Sequence, residues 1–176
     1  MRYHIRERIF SISDHFDIVD DYGTPHYQVR ARIFALGKTL DIFDAGGQQC
    51  LEIHQRLLTF LPEYDFKQNG EIIGRVRKLF TLLTPKYEID GPDGVLTMAG
   101  DWLGLTYTIY DGQTMLASVT RQFALFAETY GVDVTAEADV PLMLAIAIVM
   151  EEVTQSSGSN SGIEEIVDDI SLIDRD

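Results

Sequence analysis

Cysteine is nearly absent: Cys50 is the single one in 176 residues. A lone thiol cannot build a disulfide framework, so packing must hold the fold, and a reducing compartment is the expected setting. No apolar run opens the chain. Met1 to His15 alternate charged with apolar residues, unlike a signal peptide, so an unexported, cytoplasmic protein is expected, at most peripheral to a membrane. Positive charge is also scarce, with 14 Lys and Arg against 28 Asp and Glu, a net charge of -14. Nucleic-acid binding draws on counterion release by clustered cations, so nucleic acid is excluded as a general partner. What remains, 45% hydrophobic and 24% charged, is the composition of one globular domain.

The acidity is unevenly placed. Residues 1–150 carry 13 basic and 20 acidic side chains, net -7, and Glu151 to Asp176 carry one and eight, again net -7. Ser156 to Gly162 is a Gly/Ser tract that loses too much entropy on ordering to be packed, so 154–162 reads as a linker. Beyond it Ile163, Ile166, Val167, Ile170 and Ile173 recur at helical spacing among acids. Residues 163–176 are expected to be an acidic amphipathic tail, disordered, or folded back as a shield over cations.

An internal repeat organises the first 134 residues. Phe16–Gly23, Leu40–Gly47, Tyr64–Gly70, Tyr87–Gly94 and Tyr107–Gly112 are each an alternating apolar run that ends in Asp or Asn and Gly. Alternation has the period of a half-buried strand, and the closing residues suit the positive φ of a tight turn. With a weaker copy at Tyr130, the starts are 24, 24, 23, 20 and 23 residues apart, room for two strands each. The second strand carries a cation before large apolar residues: Arg8–Ile12, Arg32–Leu36, Arg56–Phe60, Lys78–Leu82 and, with the cation displaced to Arg121, Gln122–Phe126. Asp101–Leu105 is a degenerate copy. The total is twelve strands, six long and six short.

Twelve antiparallel strands left open expose two hydrogen-bonding edges, and closure into a barrel removes both. A barrel that wide has space inside that its own side chains do not fill. Val140 to Met150 has no polar side chain and follows Asp139, a candidate N-cap, with Pro141 in the first turn. A helix apolar on its whole perimeter is buried on every side, and eleven residues at about 1.5 Å each fall short of a bilayer. The fold expected is all-β with one helix: a twelve-stranded closed antiparallel barrel (1–153) around a central hydrophobic C-terminal helix (139–153), with no transmembrane segment.

The hairpins from Tyr3 to Val134, the cation-apolar-apolar-Ser/Thr-apolar phrase, the segments Leu57–Asp65 and Phe80–Ile89 and the terminal apolar helix together resemble the LURP-one-related family. That family is grouped with the Tubby C-terminal-like proteins and, more distantly, the phospholipid scramblases. The resemblance covers about 150 residues and implies the same barrel around a central helix. Most members bring no activity with them, whereas Tubby domains bind phosphoinositide headgroups and scramblases are lipid-associated and calcium-responsive. An acidic calcium loop, a cysteine-rich stretch and a basic juxtamembrane segment are missing here.

Few residues suggest chemistry. His4, His15, His26 and His54 are scattered, and none forms a metal-ligand spacing with Cys50. Glu52 and His54 share a strand face and read first as an exposed cross-strand pair, with a weak metal site or barrel-mouth enzyme or small-molecule site as the alternative. Cys50 reads as a semi-buried thiol, and no catalytic residue, metal or cofactor is expected. The remaining candidates are Arg30, Arg32, Arg56, Arg75, Arg77, Lys78 and Arg121, at similar points of successive long strands. Closure could gather them into a band that grips phosphate or carboxylate, and the competing reading pairs each with a neighbouring acid. Tyr64, Tyr87 and Tyr107 read as barrel filling. The functional expectation is a non-enzymatic binding or adaptor domain for an anionic phospholipid headgroup or a protein partner, its oligomeric state open.

Overall fold

The computed structural model describes residues 1–6, 15–34, 37–57, 59–79, 86–101, 106–123 and 128–154. Its strands are β1 (Arg2–Arg6), β2 (His15–Val19), β3 (Pro25–Phe34), β4 (Gly37–Asp44), β5 (Gln49–Gln55), β6 (Glu63–Gln68), β7 (Glu71–Leu79), β8 (Lys86–Gly91), β9 (Gly94–Asp101), β10 (Thr106–Asp111), β11 (Thr114–Phe123) and β12 (Glu128–Val134). Helix α1 follows at 140–154. Each strand pairs antiparallel with the next, and the cylinder closes where β1 meets β12, from Arg2↔Asp133 to Arg6↔Thr129. On its other side β1 meets β2 at His4↔Val19.

The repeat produces this meander through its turn residues. Between β6 and β7, Asn69 (φ 52°) and Gly70 (φ 84°) are both left-handed, the requirement of a two-residue hairpin whose twist matches its strands. At the β4–β5 turn the Asp44 carboxylate accepts the Gln48 N–H at 2.9 Å, and Asp20 does the same for Tyr22 and Thr24 before β3. Arg56 and Leu57 follow β5, which ends at Gln55, so the cation of that phrase lies just beyond its strand. Residues 8–12 lie outside the described residues, as do the linker beyond Thr154 and the acidic tail.

Alternation then sorts the side chains. Ile5, Ile18, Val29, Leu40, Ile42, Leu51, Ile53, Phe66, Val76, Ile89, Ile109, Val119 and Val132 are buried and form one core with α1. From Leu142 to Met150 every helix residue is at most 2% exposed. A helix on an outer surface keeps one face in water, so burial on all sides places α1 within the cylinder. Asp139 caps it: its carboxylate accepts the Leu142 N–H at 2.9 Å and its carbonyl the Met143 N–H at 3.0 Å. Gly74 of β7 lets the wall close tightly, since a Cβ there would lie 2.8 Å from the Asp90 carbonyl oxygen and 3.2 Å from the Phe66 ring.

Ile146→Ala is therefore expected to lower the unfolding free energy by about 2–5 kcal/mol, measured by urea denaturation. A loss below about 1 kcal/mol, the range of surface changes, would mean that α1 is not enclosed. Gly74→Ala is expected to cost about 1–3 kcal/mol, because the opposing Asp90 oxygen belongs to the backbone and cannot swing aside.

Candidate functional site

The seven cations singled out by sequence fall into three settings. The first is a ladder of ion pairs on the outer wall. Arg32 of β3 forks onto Asp41 of β4, with Nη2 2.6 Å from Oδ1, and reaches Glu52 of β5 at 3.1 Å. Lys67 of β6 meets the same Glu52 at 3.3 Å. Arg75 of β7 binds Asp65 at 2.5 Å and Glu63 at 3.1 Å, and Arg56 shares Glu63 at 3.0 Å. Arg77 spans Glu88 and Asp90 of β8 at 2.5 and 2.9 Å. The carboxylates hold the guanidinium protons of Arg32 and Arg77 still more tightly than usual, mainly through the hydrogen bonds that the guanidinium groups donate to Asp41 and Glu88. Asp41 and Asp65 are themselves buried although they point outward, because the arginines lie across them.

Arg30 is the second setting. Its guanidinium lies 4.5 Å from the Phe43 ring centroid and donates to Gln28 Oε1 at 2.7 Å, with no carboxylate paired to it among the described residues. It lines a cleft of about 330 Å³ with His26, Gln28, Asp17 and Asp44. The third setting is the inner face. Lys78 is registered opposite Tyr87, two residues from the buried pair Val76↔Ile89, and Arg121 is opposite the buried Tyr130. Strand parity turns both toward the lumen.

There they join groups that the sequence did not bring together. Tyr64, Tyr87, Tyr107 and Tyr130 open β6, β8, β10 and β12 and ring the C-terminal end of α1, where Glu151 is buried. The Tyr107 hydroxyl is buried with no hydrogen-bond partner among the described residues, and burial followed by the nearby Glu151 carboxylate pushes its pKa well up. Tyr64 is raised for the same first reason, with Glu152 second. Burial lifts the Glu152 carboxyl above its ordinary 4.5 while Lys38 opposes the shift, and burial lowers Lys38 from 10.5 against the pull of Glu152 and Glu151. Cations around a helix C-terminus also meet the negative end of its dipole.

Glu52 thus serves the outer ladder, and His54 Nδ1 lies 3.2 Å from the Thr39 hydroxyl. No group of three or more His, Cys, Asp or Glu that could hold a metal occurs among the described residues. Cys50 is half-buried with its Sγ 3.6 Å from the Gln48 carbonyl oxygen, and burial raises the thiol pKa, which suppresses the nucleophilic thiolate.

A third surface feature is apolar. Ile72, Leu79 and Val95, from the neighbouring strands β7 and β9 around β8, are exposed at 53%, 37% and 57%. Two clefts flank β8 on this wall, one of about 370 Å³ by Ile72 and Pro92, the other of about 390 Å³ by Leu79, Tyr87 and Met98.

A closed antiparallel barrel threaded by an apolar helix, with charged pairs outside and a tyrosine ring at one mouth, defines the class of this protein. Residues 1–151 match the model of the LURP-one-related family, and the chain belongs to that family. It is 29% identical over 157 residues to the uncharacterised protein YxjI of Bacillus subtilis (strain 168), covering 89% of this chain and 96% of that one. An X-ray structure of an Arabidopsis thaliana protein superposes with a TM-score of 0.62 at 15% identity, over 86% of this chain and 91% of the other, a likeness of fold. No helix among the described residues is long and apolar enough to cross a membrane.

The mouth charges set a pH dependence. The native chain holds the Glu152 proton more tightly than the unfolded chain, so as pH rises from 4.5 through its raised value this residue makes stability fall. Lys38, lowered from 10.5, acts oppositely: stability rises as pH climbs from its lowered value toward 10.5. Glu152→Gln is expected to flatten the first limb and steepen the second, because Lys38 loses a carboxylate. Urea denaturation across a pH series checks both, and an unchanged acid limb would show Glu152 to be fully solvated.

Proposed function

We propose that this chain is a non-enzymatic binding domain for a protein partner, which docks on the outer wall formed by β7, β8 and β9. The observation that carries the reading is the trio Ile72, Leu79 and Val95, exposed on β7 and β9 to either side of β8 and beside two clefts. With α1 filling the lumen, the wall is the surface open to a large ligand. The acidity of the chain, -14 overall, repels an anionic bilayer and leaves a protein as the favoured partner.

A second reading, engagement of an anionic phospholipid headgroup, is supported by Arg30, the outer-wall arginine with no carboxylate partner among the described residues. Asp17 and Asp44 line the same cleft and oppose an anion there. On that reading Arg32, Arg56, Arg75 and Arg77 exchange their own carboxylates for the ligand, and Lys78 and Arg121 act from the inner face.

Co-sedimentation separates the two. Recovery is expected to be equal with neutral phosphatidylcholine vesicles and with vesicles containing phosphoinositide, and enrichment that Arg30→Ala abolishes would overturn the protein-partner reading in favour of the lipid. In the same vein, a photo-crosslinker at Val95 is expected to yield a discrete protein adduct in cells, absent when the label is at Gln113 in the β10–β11 turn.

A further inference from the structure

The ladder between β8 and β9 is short. It runs Gly91↔Gly94, Asp90↔Val95 and Ile89↔Leu96 and stops, although β8 extends back to Lys86 and β9 on to Asp101. On their opposite edges the strands are registered over most of their length, β8 with β7 from Lys86 to Asp90 and β9 with β10 from Leu96 to Asp101. The two-residue connection at Pro92 and Asp93 decides which main-chain groups face this seam. Gly91 and Gly94 must form a hydrogen-bonded pair, since the alternative would bond adjacent loop residues to each other. Ile89 and Leu96 are the next such pair, and Met98 the next residue of β9 whose N–H and C=O point at β8. The Tyr87/Met98 rung is not made.

The strands part there, and the gap has a distinct lining. Tyr87, Ile89, Leu96 and Met98, which belong to the inner face of the wall, line the cleft of about 390 Å³ together with Leu79 and Val95. Thr97, Ala99 and Gly100 along the β9 edge are exposed and small. They include neither the proline nor the lysine that commonly blunts an edge. Cationic charge stands at the rim of the gap. Lys86 lines the cleft on the outer face and is not paired with a carboxylate among the described residues, whereas Glu88 in the same cleft is engaged by Arg77.

We propose that the seam between β8 and β9 is a strand-addition site, which takes an extended segment of a protein partner that alternates apolar with acidic side chains. The inference deepens the reading of this wall as a docking surface and rests on it. An extended segment is the occupant that uses every feature. Its main chain completes the rung offered by Met98, alternate apolar side chains enter the cleft, and acidic ones on the outer face meet Lys86. A helix spends its main-chain groups internally, and an acyl chain would leave the strand edge unused.

The test uses the full chain and three fluorescein-labelled acetylated nonapeptides. One alternates valine with threonine and glutamate, one has lysine for glutamate, and one is the acidic peptide N-methylated at alternate residues. Fluorescence anisotropy is expected to show saturable binding of the first and at least ten-fold weaker binding of the other two. Met98→Pro deletes the N–H that faces β8 and that the β9–β10 ladder does not use, so it is expected to abolish binding while far-UV circular dichroism stays unchanged. Should that variant not fold, Lys86→Glu leaves the main chain intact and is expected to invert the preference from the acidic to the lysine peptide. Equal binding of the N-methylated peptide, binding indifferent to both substitutions, or no saturable binding of any peptide up to about 1 mM would overturn strand addition. Displacement by oleate together with indifference to N-methylation would assign the cleft to an acyl chain instead. If a Val95 crosslink to a protein persists in Met98→Pro, the docking wall survives and only its strand-addition mechanism fails.

Discussion

Everything in this barrel depends on burying the whole perimeter of α1. Each residue from Leu142 to Met150 would lose its shelter if the cylinder opened, and each inward residue of the twelve strands would lose the surface it packs against. The hydrophobic term is proportional to the apolar area removed from water, so helix and wall stabilise one another as a single cooperative unit. The barrel also explains why so little cysteine is tolerated without cost. A sheet closed on itself around a continuous core needs no covalent staple.

Strand parity governs the charges in the same way. Cations one residue out of phase with their neighbours land on opposite sides of the wall, so a series that looks uniform in sequence divides into an outer ladder and an inner set at the mouth. On the outside Arg32, Arg75 and Arg77 each bridge acids on neighbouring strands, which fixes pairing and register while contributing modestly to stability at their exposure. On the inside burial disfavours the charged forms of Lys38 and Glu152, and the charge of each favours that of the other.

Much of this was legible in the sequence. The repeat of tyrosine-led strands, the Asp/Asn-Gly turns, the strand number and the capped apolar helix are local patterns, and the local pattern was sufficient to imply the closed barrel. The candidate site was legible only in part. Arg32, Arg56, Arg75 and Arg77 lie on the outer wall, each against acids of nearby strands, whereas Lys78 and Arg121 face the lumen. Register shifts such as those at Ile42/Phe43 and Phe66/Lys67 alter the alignment of residues between adjacent strands, and no single strand's sequence reveals them. Glu151 escaped notice because an acidic pair, Glu151-Glu152, after an apolar run reads as a surface feature.

The sequence by itself determined the elements. Period-two alternation, turn chemistry and an apolar helix perimeter are short-range properties, each dictated by a few consecutive side chains and the φ/ψ values they allow. Only the tertiary structure decided which charges meet, which face each cation takes, and where the ladder between β8 and β9 ends. Those depend on register and strand separation across the barrel, quantities set by the packing of all twelve strands around one helix and by no segment alone.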